Sequence, residues 1–291
     1  MKIVDISGIQ VKVKLIKPFK ITFGEITSSA SIIIKVKTDT GIIGYGEACP
    51  FEPVTGESIS TEMAQLSALT DALKEIDPRN IEKAHAIMDQ VTQGHAALKA
   101  GLDIALYDIL GKDSGLPVYR LLGGNSNQIT TDMTIAIASP ETMANEAKKF
   151  VSQGFTQLKV KTGINIKSDE QALKAILAAV DSDVEIKVDA NQGWTAKQTI
   201  SILKKFEGTN IQSVEQPLPY WQHEENKLIR HAITQNLMLD ESVHSPHDAY
   251  SVLKNDEADI VNIKLMKSAG IFGAESINKI AEAAGAPCMI G

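Results

Sequence analysis

From about residue 131 the chain alternates short apolar runs with longer amphipathic segments, at a repeat near 25 residues. Strands are predicted at 131–137, 156–161, 184–189, 211–215, 237–240, 260–264 and 286–290. Helical spacing of apolar positions predicts helices at 140–153, 168–181, 195–207, 224–236, 245–254 and 271–284. A repeat of this length holds one strand, one helix and two loops, and such alternation specifies a parallel sheet. No glycine-rich phosphate loop opens any of these helices, which weakens a nucleotide-binding reading.

The first part of the chain has a different period. Residues 3–16 are rich in Ile and Val, and Ser31-Ile-Ile-Ile-Lys-Val-Lys37 and Ile42-Ile-Gly-Tyr-Gly46 follow as strands joined by the turn Asp39-Thr-Gly41. Gly24, with Ser28 and Ser29, predicts a mobile loop between the first two strands. Helices are predicted at 60–75, 80–92 and 95–112, the last ended by Gly115-Leu-Pro117. Leu121-Leu-Gly-Gly-Asn125 then marks a boundary. The expected organisation is an α+β domain over 1–125 and a (β/α) barrel domain over 126–291.

Five of the seven barrel strands end on a charge. Lys161 closes Gln157-Leu-Lys-Val-Lys161; Asp189 follows after 28 residues, Glu215 after 26, Asp240 after 25 and Lys264 after 24. Barrel enzymes carry their chemistry at the carboxyl ends of the strands, so the pattern favours a barrel over an open sheet. Closure takes about eight strands, whereas the seventh is still running at Pro287-Cys-Met-Ile-Gly291. The C-terminal part of the barrel is therefore expected to lie outside the given chain, which breaks off in its seventh strand.

On a strand, residues i and i+2 share a face, so Lys159 and Lys161 both point to the barrel interior or its mouth. A lone Lys-x-Lys is usually a solvated edge. In a desolvated mouth, however, a lysine loses pKa and acts as a base. Asp189, Glu215 and Asp240 would each suit a turn or a helix cap taken singly. On consecutive strand ends they repel one another unless a cation lies between them, and hard oxygen ligands suit Mg²⁺. Asn191 can support or cap this site. Lys161 and Lys264, separated by the three carboxylate strands, fall on opposite sides of the metal, from which one carbon could be reached on both faces. Lys267 reads as structural or supporting. Glu241 either bonds a lysine or a ligand water, or is a solvated loop charge. None of His85, His95, His223, His231, His244 and His247 has ligand spacing, and His244 and His247 are expected at the surface. No Ser or Cys sits in a nucleophile motif.

Composition narrows the partners. The net charge is −7 and there is no basic run, which excludes a nucleic-acid footprint. Nothing approaches the ~18 uninterrupted apolar residues of a membrane span. Cys49 and Cys288 are the two cysteines, and a pair of free thiols in a large domain fits a reducing cytoplasm.

Lys-Val-Lys161, Asp189-Ala-Asn191, Glu215-Gln-Pro217, Asp240-Glu-Ser242 and Asn262-Ile-Lys264-Leu-Met-Lys267-Ser-Ala-Gly270 together resemble the enolase superfamily. The resemblance is strongest to its muconate-lactonizing subgroup, and within that to the dipeptide epimerases. Lys17-Pro-Phe19, Gly46-Glu-Ala48, Val54-Thr-Gly-Glu57 and Leu121-Leu-Gly-Gly124 resemble that family's capping domain. The resemblance implies an α+β capping domain over a modified (β/α)7β barrel. It implies one Mg²⁺ on Asp189, Glu215 and Asp240, with Lys161 and Lys264 as the acid/base pair. Lys159 would hold the substrate carboxylate or lower the pKa of Lys161. Superfamily members pair a Lys or His base with Mg²⁺ that stabilises an ene-diolate, so this chemistry comes with the resemblance.

The implied activity is epimerisation at a carbon next to a carboxylate, in an L-Ala-Xaa type of dipeptide. A muconate-type cycloisomerase and an o-succinylbenzoate synthase would use the same constellation. A Schiff-base lyase would need one lysine and none of the carboxylates, and a binding protein on an inactive barrel would need neither. Homo-oligomerisation stays open. The family has two further hallmarks. One is an Asp-x-Asp pair on the eighth strand, beyond Gly291. The other, in Ala-Glu epimerases, is an arginine in the first capping loop, where this chain has Gly24 and Glu25. That loop, Phe19 to Ile26, is expected to close over the substrate, with Phe19, Gly24 and Glu25 contacting its distal side chain. A buried carboxylate without a cation is costly, so small or apolar side chains are expected at the second residue, and cationic ones if Glu25 points inward.

Overall fold

A computed structural model describes Met1–Gly291. Three antiparallel strands, β1 (Ile3–Ile21), β2 (Gly24–Thr38) and β3 (Ile43–Ala48), form the first sheet in that order. Helices α1 (Glu52–Thr55), α2 (Ile59–Leu73), α3 (Ile81–Val91), α4 (Ala96–Ser114) and α5 (Val118–Leu121) follow. Ile32, Ile34 and Val36, alternate residues of β2, are fully buried, as a one-sided sheet requires. Helix α4 covers that face. A Cβ on Gly46 would stand 1.9 Å from the Gly101 carbonyl and one on Gly44 2.1 Å from that of Ala105. The small residues of β3 and α4 thus let backbone meet backbone.

The mobile loop expected around Gly24 is not found. β1 and β2 run on as a two-stranded ribbon, paired Lys20 to Glu25 and Ile21 to Gly24, and turn at Thr22-Phe23. The register shift between Lys14 and Phe19, around Pro18, breaks the alternation that marks a strand in sequence. The ribbon tip docks on the second sheet. The Thr22 hydroxyl donates to the Thr162 carbonyl at 2.8 Å, and the Ile137 amide donates to the Lys20 carbonyl at 3.1 Å.

Helix α2 opens with a capping box between Ser58 and Thr61. It also buries Glu62 completely. His95 Nδ1 lies 3.1 Å from Glu62 Oε1, while Oε2 has no partner. Burial, then the Glu57 charge, lifts this carboxyl from 4.5 to about 7, against the pull of His95. Its ionised form is therefore disfavoured in the folded state. The penalty is complete above pH 7 and fades as pH falls towards the unfolded value. Glu62→Gln should raise the unfolding free energy read from urea denaturation at about pH 8, by up to a few kcal/mol at about 1.4 kcal/mol per pKa unit, and lose that advantage near about pH 5.

The second sheet holds seven parallel strands in sequence order: β4 (Met133–Ile135), β5 (Gln157–Lys161), β6 (Glu185–Asp189), β7 (Ile211–Glu215), β8 (Asn236–Leu239), β9 (Ile260–Ile263) and β10 (Cys288–Ile290). Between them run α6 (Pro140–Ser152), α7 (Ile166–Leu177), α8 (Ala196–Leu203), α9 (Glu224–Ala232), α10 (Pro246–Lys254) and α11 (Ile271–Ala283). The seven strands curl in the manner of a (β/α) barrel, with the helices on the outer face. Leu158, Val160, Ile186 and Val188 join Met143, Leu173 and Ile176 in the core under the helices. Period two then turns Lys159, Lys161 and Asp189 inward. Ser139, Asn165, Thr195 and Ser245 cap α6, α7, α8 and α10 with side-chain oxygens.

Candidate active site

Asp189 and Glu215 are the last residues of β6 and β7, and Asp240 directly follows β8; all three are fully buried. Lys161 ends β5, in register with Asp189, and Lys264 directly follows β9. One row therefore runs Lys161, Asp189, Glu215, Asp240, Lys264 along consecutive strand ends. Lys161 Nζ donates to Asp189 Oδ2 and to Asn191 Oδ1, each at 2.7 Å. At the other end, Lys264 Nζ donates to Asp240 Oδ2.

Lys159 lies one layer deeper. Its Nζ stands 2.9 Å from Asp189 Oδ2 and 2.5 Å from Glu215 Oε2. Burial works against its charge, but Glu215 and Asp189 outweigh burial and hold the ammonium well above the ordinary lysine value. Lys264 behaves alike: burial lowers its pKa, yet Asp240 and Glu215 raise it further. For Lys159 this reverses the expectation that a desolvated lysine at the mouth loses its proton. Lys267 goes the other way. Burial prevails over Asp240, and its pKa falls. Lys267 Nζ stands 2.7 Å from Asp240 Oδ1 and donates to the carbonyls of Asp240, Val243 and Asn262 at 2.5, 2.9 and 3.0 Å. It is a brace under the Asp240 loop, as its position suggested.

The carboxylates divide in the same way. Burial would raise Asp189, but Lys159 and Lys161 bring it below the usual range. Asp240 is likewise brought down by Lys267 and Lys264 against burial. Glu215 is pushed up by burial and by Asp189. Glu241 is not a solvated loop charge: it is buried, its Oε1 accepts from Asn191 Nδ2 at 3.2 Å, and burial, with Asp240 and Asp189, lifts it to about 7. His244, expected at the surface, is half-buried, and burial followed by Lys267 lowers its pKa; His247 is exposed as expected. The other four histidines each lie against a carboxylate, on Asp103, Glu62, Glu257 and Asp256.

No three acidic, histidine or cysteine side chains converge as a ready cation cage. Ammonium groups stand between the carboxylates instead. Lys159 between Asp189 and Glu215 occupies the kind of position a cation takes between two carboxylates. Glu215 Oε2 and Asp240 Oδ1 face lysine ammoniums but receive no aligned hydrogen bond. Buried hard oxygens with unspent lone pairs fit a divalent cation.

Two supports escaped the sequence reading. Gln216 is fully buried at φ 37°; its Oε1 accepts from the amides of Asp240 and Ser242 at 3.0 and 3.2 Å, tying the β7 end to the β8 end. Asn262 Nδ2 donates to Glu215 Oε1 at 2.7 Å. Both lie inside quoted motifs, yet nothing in the sequence says which way their amides point.

Gly24 and Glu25 are exposed, Glu25 opposite Lys20 across the ribbon, and Phe19 is half-buried. A cleft of about 640 Å³ lies beside them, lined by Ile26, Cys49, Pro50, Phe51 and Met266 among others, with no Lys or Arg on its wall. Phe23 at the ribbon tip packs edge-on against Phe51 at 6.5 Å. Sequence spacing could not bring Phe51 or Met266 to this ribbon.

The chain belongs to the mandelate racemase/muconate lactonizing enzyme family of the enolase superfamily. Residues 3–123 match the N-terminal domain of that family and residues 142–291 the enolase C-terminal domain-like family. The chain is 39% identical over its full length to the hydrophobic dipeptide epimerase of Enterococcus faecalis, covering 82% of it. A crystal structure of the Enterococcus faecalis dipeptide epimerase with Mg and L-Leu-L-Tyr superposes with a TM-score of 0.98, at 39% identity, over 100% of this chain and 82% of the other. The L-Ala-D/L-Glu epimerase of Bacillus subtilis is 38% identical over 100% of this chain and 81% of its own. The N-succinyl-L-Arg/Lys racemase of Bacillus cereus is 39% identical over 100% and 80%. These relatives are epimerases and a racemase, and the chain is accordingly an isomerase of this superfamily. No helix is long and apolar enough to cross a membrane.

Proposed function

We propose that this protein is a Mg²⁺-dependent epimerase of dipeptides whose second residue carries a small or apolar side chain. The observation that carries this reading is the row of buried carboxylates with one lysine at each end, Lys161 on Asp189 and Lys264 on Asp240. Asp189, Glu215 and Asp240 would hold the metal. Bound there, the cation supplies positive charge beside the substrate carboxylate, where negative charge grows as the α-proton leaves.

The chain's own groups do the rest. Lys161 and Lys264 meet the α-carbon from opposite faces, so one removes the proton and the other returns one. Either direction needs one amine neutral and the other protonated. Asn191, between Lys161 and Glu241, fixes the Lys161 amine at the end of its strand. Lys159, held charged between two carboxylates, adds positive charge under the substrate carboxylate. The ribbon tip at Thr22 covers the ends of β5 and β6 and helps to exclude water. Residues 1–125 then act as the cap and 126–291 as the barrel domain.

The cleft of Ile26, Phe51 and Met266 lies two residues from Lys264 along the chain and offers no cation. A second carboxylate buried there would be unpaired, at a cost of several kcal/mol. Assays across L-Ala-L-Xaa dipeptides with Mg²⁺ should therefore give kcat/KM at least about tenfold higher for Leu or Phe than for Glu, since 1.4 kcal/mol is tenfold. A preference for L-Ala-L-Glu would overturn the assigned side-chain class. No epimerisation of any dipeptide would overturn the reading itself.

A further inference from the structure

Helix α11 begins seven residues beyond Lys264, and its start lacks a cap of its own. Gly270, at its N-cap position, has no side chain to offer. The missing acceptor comes from the other domain. Asp103, in the middle of α4 and fully buried, accepts the Ile271 amide on Oδ2 at 2.6 Å. Its Oδ1 lies 2.7 Å from Nε2 of buried His85 on α3. The His85 ring stacks on Phe272 with centroids 4.7 Å apart and planes 28° apart. Two cap helices thus grip the first turn of a barrel helix. Ile271 and Phe272 pack against the cap's core, whereas Ala274 and Ile277, one turn on, belong to the barrel's.

The grip reaches Lys264 through a tight loop. Ala269 and Gly270 are both in positive-φ conformations, at 56° and 106°. A Cβ on Gly270 would stand 2.3 Å from Asp103 Oδ2, so glycine is needed both for the backbone angle and for the approach of the carboxylate. The Ser268 hydroxyl donates to the Lys264 and Gly270 carbonyls at 3.2 and 3.1 Å, and the Lys267 and Ser268 amides donate to the Lys264 carbonyl at 2.9 and 3.1 Å. A non-glycine residue at positive φ persists only where its surroundings over-determine it. Here those surroundings include Asp103.

We propose that Asp103, oriented by His85, is a positioning residue for Lys264. It caps α11 from the other domain, holds the loop from Lys264 to Gly270 in its strained form, and so sets the aim of one of the two lysines. The other, Lys161, is held by Asp189 and Asn191, and the cap reaches its strand end through the Thr22 hydroxyl on the Thr162 carbonyl rather than through Asp103. This rests on the two-lysine reading above, and it makes a prediction that simple domain adhesion does not: damage to one face only.

The test compares Asp103→Asn and His85→Gln with the unaltered protein by two measurements. The first is exchange of the α-proton into D₂O, followed separately for each epimer of L-Ala-Leu in the presence of Mg²⁺, with Lys264→Ala defining the face Lys264 serves. Asp103→Asn should slow exchange on that face by roughly 10²-fold, the scale of a misplaced catalytic group, and spare the other. His85→Gln keeps a donor towards Asp103 and should lose less. The second is amide hydrogen exchange, which needs no activity. The Gly270 and Ile271 amides should lose protection in Asp103→Asn while β5 and β6 keep theirs. Equal loss on both faces in a folded Asp103→Asn protein would overturn the proposal, and so would unchanged protection at Gly270 and Ile271. If the unaltered protein exchanges neither epimer, the dipeptide reading fails, and amide exchange alone decides whether Asp103 holds the loop.

Discussion

Glu215→Gln is expected to abolish tight Mg²⁺ binding and nearly all turnover while leaving the fold intact, whereas Asp240→Asn should lose binding, turnover and stability together. The difference lies in which ammoniums each carboxylate neutralises. Glu215 faces Lys159, and Lys159 also contacts Asp189 at 2.9 Å, so removing the Glu215 charge still leaves that buried lysine a partner. Asp240 contacts both Lys264 and Lys267, and the side chain of Lys267 is 1% exposed. Losing it strands two ammoniums at once, and breaking a buried pair costs about 3–5 kcal/mol. The common loss of turnover reflects the cation, worth several kcal/mol of charge stabilisation, or roughly 10³-fold in rate. Calorimetric Mg²⁺ titration and urea unfolding, run on both variants without substrate, separate the two effects. Unchanged Mg²⁺ affinity in both would remove the metal assignment. An unaltered midpoint in Asp240→Asn would refute the pairing argument.

What the sequence could show and what it could not follow from range. The βα repeat is local: each strand-end charge sits at the close of an apolar run and one repeat from the next, so the sequence alone orders Lys161, Asp189, Glu215, Asp240 and Lys264 around one mouth. Leu158 and Val160, buried beneath the helices, turn Lys159 and Lys161 inward by the period of the strand. The helices α1 and α5, four residues each, are too short to display a period. The irregularity around Pro18 hides the ribbon that turns at Thr22-Phe23, so the sequence there has the look of a loop. Long-range pairing left no trace at all. Asp103 and Ile271 are 168 residues apart and Lys17 and Glu146 are 129 apart, and only folding brings each pair together. Protonation at Lys159 departs from the expectation because desolvation alone leaves out the two carboxylates that folding sets against it.

Changing either terminal lysine of the row to alanine is expected to stop epimerisation in both directions, by about 10²–10⁴-fold, the usual contribution of a positioned acid or base. Yet each variant should retain half of the chemistry. The lysines stand at opposite ends of the carboxylate row, Lys161 on Asp189 and Lys264 on Asp240. A carbon held above the middle of that row presents one face to each. With Lys264 removed, Lys161 can still take a proton from its own face and return deuterium to it, so one epimer exchanges with retained configuration while the other is inert. Lys161→Ala should show the mirror image, with the roles of the two epimers reversed. Proton NMR in D₂O, starting from each pure epimer, reads this directly. The result also tells two bases from one, because a single mobile lysine serving both faces would leave one variant exchanging both epimers and the other exchanging none. Borohydride in the same samples addresses the Schiff-base alternative, since trapping of substrate on Lys161 or Lys264 would show covalent rather than acid/base use of that amine.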